Sequence, residues 1–109
     1  AFADLNCLLK NNLHDMHGHY MTVPNLLKNF NTAKIAGLIA PRQQLVCVGL
    51  KDKFTNLECF SVAQKELKSI YSFYSSLQNL EFYVGKTSGH EETYFMRKKI
   101  SKFLDKIKL

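Results

Sequence analysis

The sequence predicts an α/β fold class, a βαβα unit with a parallel pair of strands, and three observations predict it. Leu45-Val46-Cys47-Val48-Gly49-Leu50 is a continuous apolar run of strand length. Such a run reads as a strand buried on both faces, as in parallel sheets. Leu80-Glu81-Phe82-Tyr83-Val84, ending in Gly85, repeats the pattern. Between them lies the best helical pattern in the chain, near Ser61 to Leu77, with Ala63, Leu67, Ile70, Tyr71, Tyr74 and Leu77 on one face. Strand, helix, strand in this order is a βαβ unit with a right-handed crossover.

The remaining elements follow in order. Residues 1–40 read as loop and short helices, and residues 41–109 as the βαβα unit. Thr22-Val23-Pro24 opens a helical turn, because proline at the first helical position loses no hydrogen bond. Leu26, Leu27 and Phe30 give it a short apolar stripe. Asn31 or Thr32 caps a second short helix, expected to bury Ile35, Leu38 and Ile39 and to stop at Pro41. A last helix is expected from about Glu92 to Ile107. Met96, Ile100, Phe103, Leu104 and Ile107 form its buried stripe, and Lys98, Lys99, Lys102, Lys106 and Lys108 cover the solvated side.

With 109 residues, the chain is one small domain or a piece of a larger one. Its 46% hydrophobic and 22% charged content argues against disorder. The net charge of +6 would attract anionic partners, but much of the excess lies in 97–108. The reading therefore expects no nucleic acid and no membrane as partner. No apolar run approaches the roughly 18–20 residues of a membrane span. There is no signal-peptide pattern, and Ala1 in place of Met suggests a processed or trimmed chain. Cys7, Cys47 and Cys59 show no recognisable spacing. All three are expected to be reduced thiols in a cytoplasmic protein.

Few motifs carry chemistry. His14, Asp15, His17 and His19 crowd three imidazoles and a carboxylate into six positions, but their spacing matches no helical metal-binding pair. The alternative is a polar loop that happens to be rich in histidine. Gly85-Lys86-Thr87 resembles the end of a phosphate-binding loop, yet position 80 is Leu where that motif needs Gly. No Cys-x-x-Cys and no His-Glu-x-x-His is present, and no cofactor is expected. Two residues stand out by placement. Asp52 follows the carboxyl end of the first strand, where open α/β sheets place their ligands. His90 lies in the loop after the second.

Ile39-Ala40-Pro41-Arg42-x-x-Leu45, Gly49-Leu50-Lys51-Asp52 and Gly89-His90-Glu91-Glu92-Thr93 together resemble the C-terminal part of an α/β-hydrolase. The resemblance is to acetyl-xylan-esterase-like and dienelactone-hydrolase-like enzymes, related to prolyl oligopeptidases. It runs from about Met21 to the end of the chain. It implies an incomplete parallel sheet that keeps only the last two strands of the family fold, a serine carboxylester hydrolase activity, Asp52 as the triad acid and His90 as the triad base. The family's Gly-x-Ser-x-Gly elbow is absent. The seven serines sit in predicted helices or loops without an elbow. Family members usually carry proline where this chain has Gln43, Asn56 and Tyr94.

Three functional readings remain open. The chain is the C-terminal part of an esterase whose N-terminal fragment supplies the serine, inactive alone. Alternatively, it is a non-catalytic remnant that self-associates as a homodimer through the edge of the first strand. The last reading is a basic binding module with salt-dependent affinity for nucleic acid.

Overall fold

Two parallel strands flanked by four helices make up the computed structural model, which describes residues 2–14 and 23–107. In chain order they are α1 (Leu5–Lys10), α2 (Thr32–Gly37), β1 (Gln44–Gly49), α3 (Leu57–Phe73), β2 (Leu80–Gly85) and α4 (Tyr94–Lys106). Single 3-10 turns precede α2 at Leu26–Lys28 and β2 at Leu77–Asn79. The strands are in register from Gln44 opposite Leu80 to Gly49 opposite Gly85. This is a mixed α/β fold with a small parallel sheet.

The core lies on one face of that sheet. Val46 and Val48 are buried against Ala33 of α2 and Phe60, Leu67 and Tyr71 of α3, with Phe82 and Val84 beside them. Phe2 enters from the N-terminal segment and stacks edge-on to Phe60 and Phe82, with ring centroids 6.5 and 6.2 Å apart. Tyr71 is fully buried. Its hydroxyl shares one proton between the Arg42 carbonyl at 2.9 Å and Gln44 Oε1 at 3.0 Å, so the polar end is satisfied where β1 begins.

The opposite face is only partly covered, which corrects the expectation of a first strand buried on both sides. Leu45 and Cys47 are half-buried, and all of β2 is intermediate. Met96 is the buried residue of α4, whereas Leu104 and Ile107 of the predicted stripe remain exposed. Part of the docking is ionic instead. Glu81 takes Lys99 Nζ at 2.6 Å and Lys106 Nζ at 3.1 Å, so two lysines assigned to the solvated side turn toward the sheet. Their hydrogen bonds hold the Glu81 carboxyl below its ordinary value despite some burial.

α3 begins four residues before its predicted start and ends sooner. Asn56 caps it, with Oδ1 accepting the Cys59 N–H at 3.0 Å. At the other end Ser75 adopts φ 50°, Ser76 N–H bonds the Tyr71 carbonyl and Ser75 N–H bonds the Ser72 carbonyl. That pair of bonds is the left-handed termination known as a Schellman motif. Tyr74 and Leu77 therefore fall outside the helix and are exposed. In α2 the cap is Asn31, which accepts the Lys34 N–H at 2.9 Å. Its buried residues are Ala33 and Gly37, not the expected Ile35, Leu38 and Ile39, which are exposed. Small residues let α2 approach α3: a Cβ on Gly37 would stand 2.8 Å from Ile70 Cδ1.

The N-terminal segment is held by more than packing. Asp4 caps α1 and accepts the Cys7 N–H at 2.8 Å. Thr32 Oγ1 donates to the Ala3 carbonyl at 2.7 Å and accepts the Leu5 N–H at 3.2 Å. Cys7 and Cys59 form a disulfide between α1 and the first turn of α3. This overturns the expectation of three reduced thiols; Cys47 is free. A separation of 52 residues left no local spacing to read. The cysteines accordingly give no support to a cytoplasmic location, since disulfides persist in oxidising compartments. Among the described residues no helix is long and apolar enough to cross a membrane.

Candidate active site

Both strands end in glycine, and this brings their following loops together. A Cβ on Gly49 would stand 2.6 Å from the Ser88 carbonyl oxygen and would also meet that of Gly89. A Cβ on Gly85 would collide with the Ser88 side chain. With no side chain at either position, loop 86–90 folds tightly across the strand ends. Leu50 N–H donates to the Gly85 carbonyl and Lys51 N–H to the Ser88 carbonyl, both at 2.9 Å. The chain thereby carries His90 over Asp52.

His90 Nδ1 lies 3.0 Å from Asp52 Oδ2. The two residues are 38 positions apart and meet at the carboxyl end of the sheet. Asp52 is buried, whereas the His90 side chain is 59% exposed. Asp52 Oδ1 accepts the Phe54 N–H at 2.8 Å, and Oδ2 also accepts Thr55 Oγ1 at 3.2 Å. The Phe54 ring stands edge-on to the imidazole, 4.8 Å between centroids.

The electrostatics follow from these contacts. Burial acts to raise the Asp52 pKa, but the hydrogen bond from His90, the Phe54 N–H, the charge of His90 and the Thr55 hydroxyl together outweigh it. The carboxyl is therefore held below its ordinary value and is ionised at neutral pH. An ionised carboxylate only accepts hydrogen bonds, so Nδ1 must be the donor. That leaves Nε2 of a neutral His90 with its lone pair, and Nε2 has no hydrogen-bond partner among the described residues. An imidazole oriented in this way can take a proton from a neighbouring hydroxyl.

A cleft of about 260 Å³ opens beside the pair, lined by Cys47, Gly49, Asp52, Thr55, His90 and Met96 among others. Burial pushes the Cys47 thiol up, with Lys99 acting against it and Glu92 adding to it. The thiol is thus held protonated, a poor nucleophile. Among the described residues no serine hydroxyl hydrogen-bonds His90. Ser88, two residues away, is buried and donates to the Gly85 carbonyl at 3.3 Å.

Of the histidine-rich segment only His14 belongs to the described residues; Asp15, His17 and His19 lie outside them. Among the described residues no three of His, Cys, Asp or Glu are grouped to hold a metal. Thr55 was not singled out from the sequence, and Gly49 and Gly85 were noted there as parts of strands and motifs, not for the steric room they leave. A Thr three residues after an acid is too common a spacing to signal a contact by itself.

Comparison with known proteins gives one informative match. The chain is 37% identical over 104 residues to a Bacillus subtilis (strain 168) protein named "Putative hydrolase YtaP". The match covers 95% of this chain and 34% of that protein, so the chain spans about one third of the relative's length. It extends into the first twenty residues, farther than the segment from Met21 that carries the resemblance in sequence. No family model matches, and no solved structure matches. Over nearly all its length, then, the chain is similar to part of a protein described as a hydrolase, and its mixed α/β fold agrees with a partial α/β domain.

Proposed function

We propose that this chain is the acid–base portion of a serine carboxylester hydrolase of the α/β-hydrolase type. The observation that carries the reading is the Asp52–His90 contact through Nδ1 at the carboxyl ends of two parallel strands, with the His90 side chain 59% exposed. In this reading Asp52 is the triad acid. It holds His90 in the Nδ1–H tautomer and stabilises the imidazolium formed during the reaction. His90 is the general base, accepting the proton of a serine hydroxyl and returning it to the leaving alcohol. The serine and the oxyanion-stabilising N–H groups come from the part of the hydrolase that this chain does not span. That part pairs along the free edge of β1 and supplies the elbow that Gly-x-Ser-x-Gly would form.

The isolated chain therefore has a base with nothing to activate. Assayed alone on an aryl acetate, it should give no turnover above a His90→Ala control. A burst of product that disappears with His90→Ala would overturn the reading and point to a nucleophile within this chain.

One observation favours self-association when that remaining part is absent. β1 has β2 on one side and, among the described residues, no strand on the other. Val46 and Val48 lie along this edge, with no charge before Lys51. An open apolar edge of this kind templates pairing with another chain. Two copies would pair antiparallel about a two-fold axis. Sedimentation at high micromolar concentration should then show a dimer, and a clean monomer would rule it out.

A further inference from the structure

Asp52 Oδ2, the oxygen that meets His90, carries a second donor. Thr55 Oγ1 lies 3.2 Å from it, and Thr55 is itself only 5% exposed. The backbone sets this hydroxyl in place, because Thr55 N–H donates to the Asp52 carbonyl at 3.0 Å. Oδ1 is tied separately, to the Phe54 N–H at 2.8 Å. A carboxylate held by one oxygen still turns about its Cβ–Cγ bond; held by both, its plane is fixed. His90 sits on an exposed loop and cannot supply that restraint alone, with 59% of its side chain in solvent. We infer that Thr55 is a positioning residue. Its hydroxyl fixes the plane of the Asp52 carboxylate, so that Oδ2 receives Nδ1–H of His90 and Nε2 is presented to the cleft.

The inference rests on the acid–base role proposed for Asp52 and His90, and the tautomer of His90 reports on both. In water a neutral imidazole favours the Nε2–H tautomer, and the hydrogen bond made by the other nitrogen decides which form is held. Nitrogen-15 NMR of the full chain at about pH 8, where an ordinary imidazole is neutral, reads the ratio directly, with His90→Ala assigning the signal. The wild-type ring should be mainly Nδ1–H. Thr55→Ser keeps the donor and should keep that signature. Thr55→Val and Thr55→Ala remove it and should lower the Nδ1–H to Nε2–H ratio by roughly two- to fivefold, the worth of one modest hydrogen bond. A folded Thr55→Val or Thr55→Ala with a lower melting temperature and an unchanged ratio would make Thr55 merely structural and overturn the inference. Failure of both to fold would overturn it equally, by making Thr55 a determinant of the fold. A wild-type ring in the Nε2–H form would instead overturn the acid–base reading of the pair itself.

Discussion

Asp52 is buried but ionised, and the difference between those two facts is made by its hydrogen-bond donors. Burial alone would neutralise the carboxyl; His90, the Phe54 N–H and Thr55 reverse that and draw its pKa down. The sign of the pH dependence follows. A carboxyl whose folded pKa lies below its unfolded value contributes stability that is complete above the unfolded value, about 3.9 for Asp. That contribution is lost as the pH falls through the folded value. Asp52→Asn should therefore cost roughly 1.5–3 kcal/mol at neutral pH, the range for hydrogen bonds to a charged group. The gap from wild type, measured by urea unfolding, should narrow steadily below pH 4. A gap that stays constant or widens in acid would contradict this account of Asp52. The positions of Asp52 and His90 were legible in the sequence because one apolar strand run ends just before Asp52 and the other ends at the loop that carries His90. Their contact was less so: it depends on Gly49 and Gly85 letting loop 86–90 close over the strand ends, a matter of steric room.

At the scale of elements, α3 ties the site to the rest of the molecule. Its capping residue Asn56 follows Thr55 directly, and Cys59 in its first turn is bonded to Cys7 of α1. The periodicity of α3 was readable; its ends were not, because a side-chain cap at Asn56 and a left-handed serine at Ser75 decide them. The face of α2 was misjudged for a similar reason. Ile35 and Leu38 are the more apolar residues, but close approach to α3 selects Ala33 and Gly37. The disulfide closes a long loop, and a cross-link of this span should stabilise the fold by about 2–4 kcal/mol, chiefly by restricting the unfolded chain. Reduction, or the paired change Cys7→Ser and Cys59→Ser, should lower the urea midpoint accordingly. An unchanged midpoint under reducing conditions would show that the cross-link contributes nothing in solution.

At the scale of the whole molecule, two parallel strands form a sheet too small to account for itself. Stable sheets of this kind have more strands, or helices covering both faces. Here the core side is filled by α2, α3 and Phe2, while α4 covers the other side only in part. The outer edge of β1 carries no strand among the described residues, and the chain matches one third of its hydrolase relative. These features fit a partial α/β fold, and under the proposed function the rest of the sheet would continue from β1. The sequence carried the two strands and their order, because both follow from local apolar runs; an incomplete sheet was implied only by the family resemblance. It did not carry the anchoring of the N-terminal segment, which rests on long-range contacts of Phe2, Thr32 and the Cys7–Cys59 bond. The most direct measurement grafts this chain into YtaP in place of the segment it matches and follows hydrolysis of an aryl acetate. The folded chimera should turn over substrate, and His90→Ala or Asp52→Ala within the graft should each reduce kcat by about a thousandfold or more. A folded chimera that is inactive, or one whose activity survives His90→Ala, would contradict the assignment of this chain as the acid–base portion of a serine hydrolase.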